Sequence, residues 1–331
     1  MFFSIIIPLF NRPQEIDELL QSLTMQRYRQ FEVIIVEDGS TKPAKDIVEK
    51  YVDVLDVRYF EKPNEGQGFA RNFGFARAKG DYFIVFDSDI LVPHDYFDQV
   101  IKGLRRDGWD AFGGPDAAHA SFTPIQKAIS YSMTSPFTTG GIRGNKARVG
   151  AFHPRSFNMG LSRAVYDLTK GFKLPRRSED IEFSIRMIDM GFRVGLIPEA
   201  FVYHKRRATF LQFFKQTNFF GKGRIDIYQM FPQELKPVHA LPAVFVLGLA
   251  CLLVLNVVGI LFHTTSVVVL ILMLFGNSLL SIYTFLLFLH ACLTTKSVWI
   301  GVLSVLAAYT QLIAYGSGFL GSYIEKVWLK K

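Results

Sequence analysis

Two carboxylates, Asp87 and Asp89, flank Ser88 directly after the apolar run Tyr82-Phe83-Ile84-Val85-Phe86. Five consecutive apolar residues predict a buried strand. Carboxylates just beyond it fall at the strand's C-terminal edge, where open α/β sheets bind ligands. At i, i+2 both can reach one hard cation, and a divalent cation there would grip phosphate oxygens. The simpler alternative is a polar turn leading into a helix, since Asp and Ser are common caps. An isolated Asp-x-Asp does not separate the two readings. The residues at other expected strand ends do.

Three further groups have work to do if the ligand is a nucleotide-diphosphate sugar. Pro8-Leu9-Phe10-Asn11 follows the first apolar run, and the Phe10 ring could stack on a nucleobase. In Glu37-Asp38-Gly39-Ser40 a carboxylate can accept a hydrogen bond from a base imide N–H, and Gly39 permits a tight turn. In Gly66-Gln67-Gly68-Phe69-Ala70-Arg71-Asn72 the glycines let backbone approach a ligand, while Arg71 offers a planar donor fork to base or phosphate. The spacing is not that of a dinucleotide-binding loop, which needs G-x-G-x-x-G directly after a strand.

The elements that would hold these groups alternate along the chain. Phe3–Pro8, Phe31–Val36, Val57–Phe60 and the run ending at Asp87 read as strands; Pro13 to Met25, Pro43 to Tyr51 and Gly68 to Ala78 read as helices. This βαβαβαβ order predicts a largely parallel sheet covered by helices on both faces. From Trp109 to about 177 the glycines at 113, 114, 140, 141, 144 and 150 suggest loops around a site. Ser178 to Met190 reads as a helix with acidic residues in its first turn, and Phe192–Ile197 as one more strand.

Half of the 331 residues are hydrophobic, and the excess lies at the C-terminal end. Leu241 to Phe262, Val267 to Leu289 and Val298 to Ile324 are each long enough to span a bilayer. Asn256, Asn277 and Gln311 within them suit helix–helix contacts. Ahead of this block, residues 206–240 interleave Phe210, Phe213, Phe214, Phe219 and Phe220 with Lys215, Lys222 and Arg224, as expected of an interfacial segment. Three spans would carry Lys326, Lys330 and Lys331 to the far side, against the positive-inside tendency, unless the third segment is re-entrant or interfacial. The net charge of +8 is concentrated in the basic flank, and no zinc-ligand set or RNA-reading aromatic signature accompanies it, so nucleic acid is not the expected partner. Cys251 and Cys292 both lie in the apolar block and form no metal pattern. Met1 to Phe10 lacks a basic leader and a cleavage signal, so it reads as a first strand rather than a signal peptide.

Taken in order, Ser4-Ile-Ile-Ile-Pro-Leu-Phe-Asn11, Glu37-Asp-Gly-Ser40, Gly68-Phe-Ala-Arg-Asn-Phe-Gly74 and Gly80-Asp-Tyr-Phe-Ile-Val-Phe-Asp-Ser-Asp89 resemble the family 2 glycosyltransferases. Phe157-Asn158-Met159-Gly160, Ser178-Glu179-Asp180-Ile-Glu-Phe-Ser184, Gly191 and His204 extend the resemblance, which covers roughly residues 3 to 205. It implies a GT-A fold over 1–205, followed by the interfacial segment 206–240 and about three transmembrane helices within 241–325. It implies an inverting transferase that uses a divalent metal, Mn²⁺ or Mg²⁺. Pro8, Phe10, Asn11, Glu37, Asp38, Arg71, Asp87, Ser88 and Asp89 would then bind the donor, with Asp38 on the base and Asp87 and Asp89 on the metal. Asp180 would be the catalytic base, and Asn158 and Glu179 acceptor-side or supporting residues. His204 is a further candidate for the metal or diphosphate, beside the reading of an ordinary core or surface histidine.

Three departures stand out. Glu37 replaces a common Asp, Ile90 follows Asp89 where many members carry another acid, and Gln212-Phe-Phe-Lys-Gln216 does not match the Gln-x-x-Arg-Trp of processive synthases. The expected enzyme is a multi-pass protein of a bacterial inner membrane with a cytoplasmic active site. Its expected partners are a nucleotide-diphosphate sugar, membrane lipids, and a glycan or glycolipid hydroxyl as acceptor. A polyprenyl-phosphate acceptor, which is already anionic and needs no base, and a non-catalytic nucleotide-sugar-binding scaffold are the alternatives.

Overall fold

The computed structural model describes residues 1–119, 121–139, 152–261 and 266–330. The glycines at 140, 141, 144 and 150, expected to loop around a site, lie outside the described residues. The chain divides into two compact units, one made of residues 1–120 and 148–205, the other of 121–147 and 206–331. Residues 121–139, which the sequence reading keeps within the catalytic part, thus belong with the apolar helices.

The first unit is built on a seven-stranded sheet. In chain order its strands are β1 (Phe3–Leu9), β2 (Phe31–Asp38), β3 (Val57–Lys62), β4 (Tyr82–Phe86), β6 (Ala111–Gly113), β8 (Asn158–Ser162) and β9 (Val194–Leu196). A second, three-stranded sheet holds β5 (Ile90–Leu91), β7 (Asp116–Ala117) and β10 (Val202–His204). The large sheet runs β3-β2-β1-β4-β8-β6-β9. Its first four strands are parallel, β8 is antiparallel to both of its neighbours, and β9 is parallel to β6.

Both faces of the sheet are covered, which is why its strands read as unbroken apolar runs. Phe3, Ile5, Ile7 and Leu9 of β1 pack with Ile16, Leu19, Leu20 and Leu23 of the helix Pro13–Thr24. Ile6 points the other way, into a cluster with Ala70, Phe75, Phe183 and Met187. On that side the helix Gln67–Phe75 lies close to the sheet, and a Cβ on Gly74 would stand 2.5 Å from the Ile6 Cγ2 methyl. The expected helix over Pro43 to Tyr51 is shorter than its pattern, a turn of α-helix at Lys45–Val48 followed by a 3₁₀ turn at Glu49–Tyr51.

Asn158 opens β8 and is fully buried, its amide donating to the Ala200 carbonyl (2.8 Å) and its Oδ1 accepting from the Tyr96 hydroxyl (2.6 Å). Its polar groups tie the start of β8 to the helix Tyr96–Asp107 and to the segment between β9 and β10.

The second unit is helical. Pro124–Thr134 opens with a capping box between Thr123 and Gln126. Phe210–Met230 is capped by Thr209. Three apolar helices follow, Leu241–Leu261, Val267–Thr295 and Val298–Tyr323. All three are long and apolar enough to cross a membrane. The first and second are joined side by side through Asn256 and Asn277, whose amides bond reciprocally (Asn277 Nδ2 to Asn256 Oδ1, 2.9 Å).

Candidate active site

Each strand end expected to carry chemistry does lie at the C-terminal edge of the parallel strands, but the side chains divide between outward-facing and structural work. Phe10, half exposed, is free to present a ring. Pro8 sits within β1, opposite Val36. Asn11 adopts a left-handed backbone (φ 53°) and turns its Oδ1 onto the Thr41 and Lys42 N–H groups (2.9 and 3.0 Å). It therefore ties the loop after β1 to the loop after β2.

Glu37 is buried and accepts from the Ala44 N–H (3.0 Å), the Tyr59 hydroxyl (2.8 Å) and the Ser40 hydroxyl. A longer acid here thus holds the turn. Asp38 accepts from Lys62 Nζ (3.0 Å) and from the Glu65 and Gly66 N–H groups (3.0 and 2.8 Å). Gly66 is required for that clamp: its φ is +102°, and a Cβ would lie 2.5 Å from the Pro175 carbonyl oxygen.

Arg71 differs most from expectation. Its guanidinium is 1% exposed and does not open toward a ligand. Nη2 donates to Asp87 Oδ1 (2.8 Å), Nη1 to Glu179 Oε1 (2.9 Å), and the group lies over the Phe172 ring (5.3 Å). A cation this deeply buried requires anionic partners, and the two carboxylates meet that need. Gln67 adds a second donor to Glu179 Oε1 (2.6 Å). Burial and the adjacent Asp180 push Glu179 up to about 7, while Arg71 and Gln67 pull the other way.

Replacing Arg71 by methionine leaves two carboxylates without their buried cation. The expected loss is about 3–5 kcal/mol of unfolding free energy, read by denaturant titration of the detergent-solubilised protein. Lysine should restore part of it, since it supplies charge but not the two-pronged fork. Methionine unfolding at the wild-type midpoint would contradict the bridge.

Asp89 and Ser88 are buried at the end of β4. The reason His204 reaches them lies in the second sheet. There β10 pairs antiparallel with β5, setting His204 opposite Ile90, and the Lys205 N–H donates to the Asp89 carbonyl (2.9 Å). Ile90, where a further acid was to be expected, is instead the strand residue that docks this pairing. His204 Nε2 lies 3.2 Å from Asp89 Oδ1, and its ring stacks on Phe157 (4.8 Å). Arg12 Nη1 takes Asp89 Oδ2. Burial alone would raise the Asp89 carboxyl, but His204 and Arg12 outweigh it and hold it well below the usual carboxylate range.

Potential ligand atoms of Asp87, Asp89 and His204 all lie within 4.8 Å of one another. Two carboxylates and one imidazole suit a hard or borderline divalent cation such as Mn²⁺ or Mg²⁺.

Asp180 occupies the first turn of the helix Glu179–Asp189, next to the Arg71 anchor point. It is partly exposed, accepts from the Ile181 N–H (2.8 Å) and faces Arg155 Nη1 at 3.6 Å. Arg12, Lys62, Gln67, Arg155 and Phe157 were not marked as site residues by the sequence. Arg12 follows Asn11 at a strand end and carries a positional signal. Gln67 and Phe157 lie within motifs quoted from the sequence, whereas Lys62 and Arg155 become visible only once distant segments meet.

A mostly parallel α/β sheet with an Asp-x-Asp pair and a histidine gathered at its carboxyl edge defines a GT-A type of transferase domain. The sequence profile of glycosyl transferase family 2 matches residues 4–168, and the chain carries a family 2 glycosyltransferase domain. A glycosyltransferase of Rickettsia felis is 31% identical over 141 residues, 42% of this chain and 22% of its own. The undecaprenyl-phosphate 4-deoxy-4-formamido-L-arabinose transferase of Pseudomonas syringae is 32% identical over 118 residues, 34% of this chain and 35% of its own. The mannosyltransferase PcManGT of Pyrobaculum calidifontis, solved with GDP-Man and Mn²⁺, is 17% identical and shares the fold with a TM-score of 0.64 over 96% of this chain and 86% of its own. The chain spans only about a fifth of the length of the first curated relatives it matches (22%, 19% and 18%).

Proposed function

We propose that this protein is an inverting, metal-dependent glycosyltransferase. It would move a sugar from a nucleotide-diphosphate donor to a hydroxyl of a lipid-linked or membrane-proximal glycan, on the cytoplasmic face of a bacterial inner membrane, in envelope polysaccharide assembly. The observation that carries this reading is the joined carboxylate set. Asp87 and Asp89 stand with His204 at the end of β4, and Arg71 ties Asp87 to Glu179, the neighbour of Asp180.

A divalent cation bound there would act as a Lewis acid toward the leaving diphosphate. Asp87, Asp89 and His204 would hold that cation. Phe10 would present a ring to the nucleobase, and Asp38 with the Glu65–Gly66 turn would shape the base pocket. Asp180 would take the proton of the attacking sugar hydroxyl, a poor nucleophile at neutral pH. Arg71 and Glu179 would fix the helix that carries Asp180.

Transfer onto a polyprenyl phosphate is the second reading, supported by the name of the Pseudomonas syringae relative. It leaves Asp180 without a proton to remove, which is why the hydroxyl acceptor ranks first.

Membranes containing the protein are to be incubated with a panel of nucleotide sugars and Mn²⁺ or Mg²⁺, and nucleoside diphosphate release measured with and without extracted lipids. The expected outcome is release from one donor, stimulated by lipid extract and abolished by chelation. Donor binding with no release under any combination would instead fit a scaffold.

A further inference from the structure

We infer that the third apolar helix, Val298–Tyr323, does not cross the membrane. It lies along the surface of the leaflet that the hairpin of the first two apolar helices enters, side by side with Phe210–Met230, and returns the chain's end to the side of residues 206–240. This rests on membrane insertion of the hairpin and not on the transfer reaction.

The depth of each contact carries the argument. Phe245 of the first helix meets Tyr283 of the second (6.1 Å) and Tyr309 of the third (5.7 Å), which sets one common level. Before that level the third helix runs antiparallel to the second, with Gly301 against Cys292 and Phe288. A crossing helix would continue from Tyr309 toward the deeper part of the hairpin, where Asn256 bonds Asn277. It stays at that level instead. Gly316 lies against Pro242 and Val246, so close that a Cβ would stand 2.2 Å from the Pro242 carbonyl oxygen, and Phe319 packs with Ala243. These are the opening residues of the first helix.

A second observation is independent of the hairpin. Phe210–Met230 follows the third helix along its length in the same direction. Phe213 packs with Leu303 and Ala307, Asn218 donates to the Ala314 carbonyl (3.1 Å), Ile225 packs with Phe319, and Asp226 pairs with Lys326 (2.6 Å). Either both helices cross the bilayer or neither does. Phe210–Met230 carries exposed Lys215 and Lys222, with Arg224 and Asp226. Such charges are strongly disfavoured within a bilayer core.

Burial agrees. Within the most apolar stretch of each helix, 6% and 0% of residues are buried by protein in the first and second, against 39% in the third. The third helix is the hub of the second unit, while Trp299, Val302 and Leu306 remain exposed along it and Trp328 in the turn Ile324–Trp328 that follows. An apolar stripe with tryptophans and flanking lysines fits a headgroup layer. Two crossings also leave Lys326 and Lys330 on the side of the basic flank, as the positive-inside rule requires.

The test uses the full chain with Cys251→Ser and Cys292→Ala, carrying Gln233→Cys, Ser266→Cys or Lys330→Cys one at a time. Right-side-out and inverted sealed vesicles are treated with a membrane-impermeant maleimide. Lys330→Cys is expected to label from the same side as Gln233→Cys, with Ser266→Cys labelling from the opposite side. Labelling of Lys330→Cys together with Ser266→Cys alone, or of all three from one side, overturns the inference. If Lys330→Cys labels from neither side, C-terminal fusions decide. A fluorescent green fluorescent protein fusion with an inactive alkaline phosphatase fusion supports the inference, and the reverse pair refutes it.

Discussion

Asparagine in place of Asp89 is expected to remove divalent-cation binding and sugar transfer together. The substitution keeps the shape of the side chain and deletes its charge. Asp89 is buried at the end of β4, between Arg12 and His204, and is held ionised by both. An amide oxygen in the same place cannot offset a divalent cation, and the two remaining ligands, Asp87 and His204, make an incomplete set. Losing a Lewis acid that contributes several kcal/mol should slow turnover about 10³-fold or more, at 1.36 kcal/mol per factor of ten. Mn²⁺ binding is to be followed by electron paramagnetic resonance, separately from nucleoside diphosphate release. The cation reading fails if the variant keeps wild-type Mn²⁺ affinity. If cation binding is lost while transfer persists, the cation is dispensable for transfer.

Asparagine in place of Asp180 should act on a different step. Asp180 sits in the first turn of its helix, partly exposed, with Arg155 at 3.6 Å and no role in the cation group. Removing a general base lowers the rate by about 10²–10⁴-fold. The effect should fall on kcat for a hydroxyl acceptor, with donor KM and Mn²⁺ affinity unchanged. Residual hydrolysis of the donor should survive better than transfer. A variant with full transfer to a hydroxyl acceptor would remove Asp180 from the mechanism. Full transfer only to a polyprenyl phosphate would favour the second reading. Since Asp89 and Asp180 serve separate steps, the two variants should differ in cation binding even where both abolish product.

Much of the first unit was legible because apolar runs and turn residues are local signals. β1, β2, β3 and β4 appear within two residues of their expected ends, and the acidic groups fall at their carboxyl edges as the alternating pattern predicts. What could not be read depends on pairing across long stretches of chain. His204 meets Asp89 only because strands of two and three residues, at 90–91 and 202–204, pair, and strands that short carry no periodic signature. Arg71 looks the same in sequence whether it faces a phosphate or two buried carboxylates. Its neighbours Asp87 and Glu179 come from elements 16 and 108 residues away. The third apolar helix reads as a span by composition, yet its glycines and alanines at 307, 308, 314, 316 and 318 are the residues that let other helices press against it.

Residues 121–139 have a consequence for how the chain is made. Ala128 and Ile129 of Pro124–Thr134 bury themselves against Leu303 and Ala307, so these partners leave the ribosome more than 170 residues later. Contacts that distant in sequence form slowly and late. Throughout that interval the apolar side of an early helix lacks the Leu303 and Ala307 partners of its own unit. During synthesis that face calls for a temporary cover, from a chaperone or from the bilayer itself, and a chain stopped before residue 300 would lack Leu303 and Ala307 altogether.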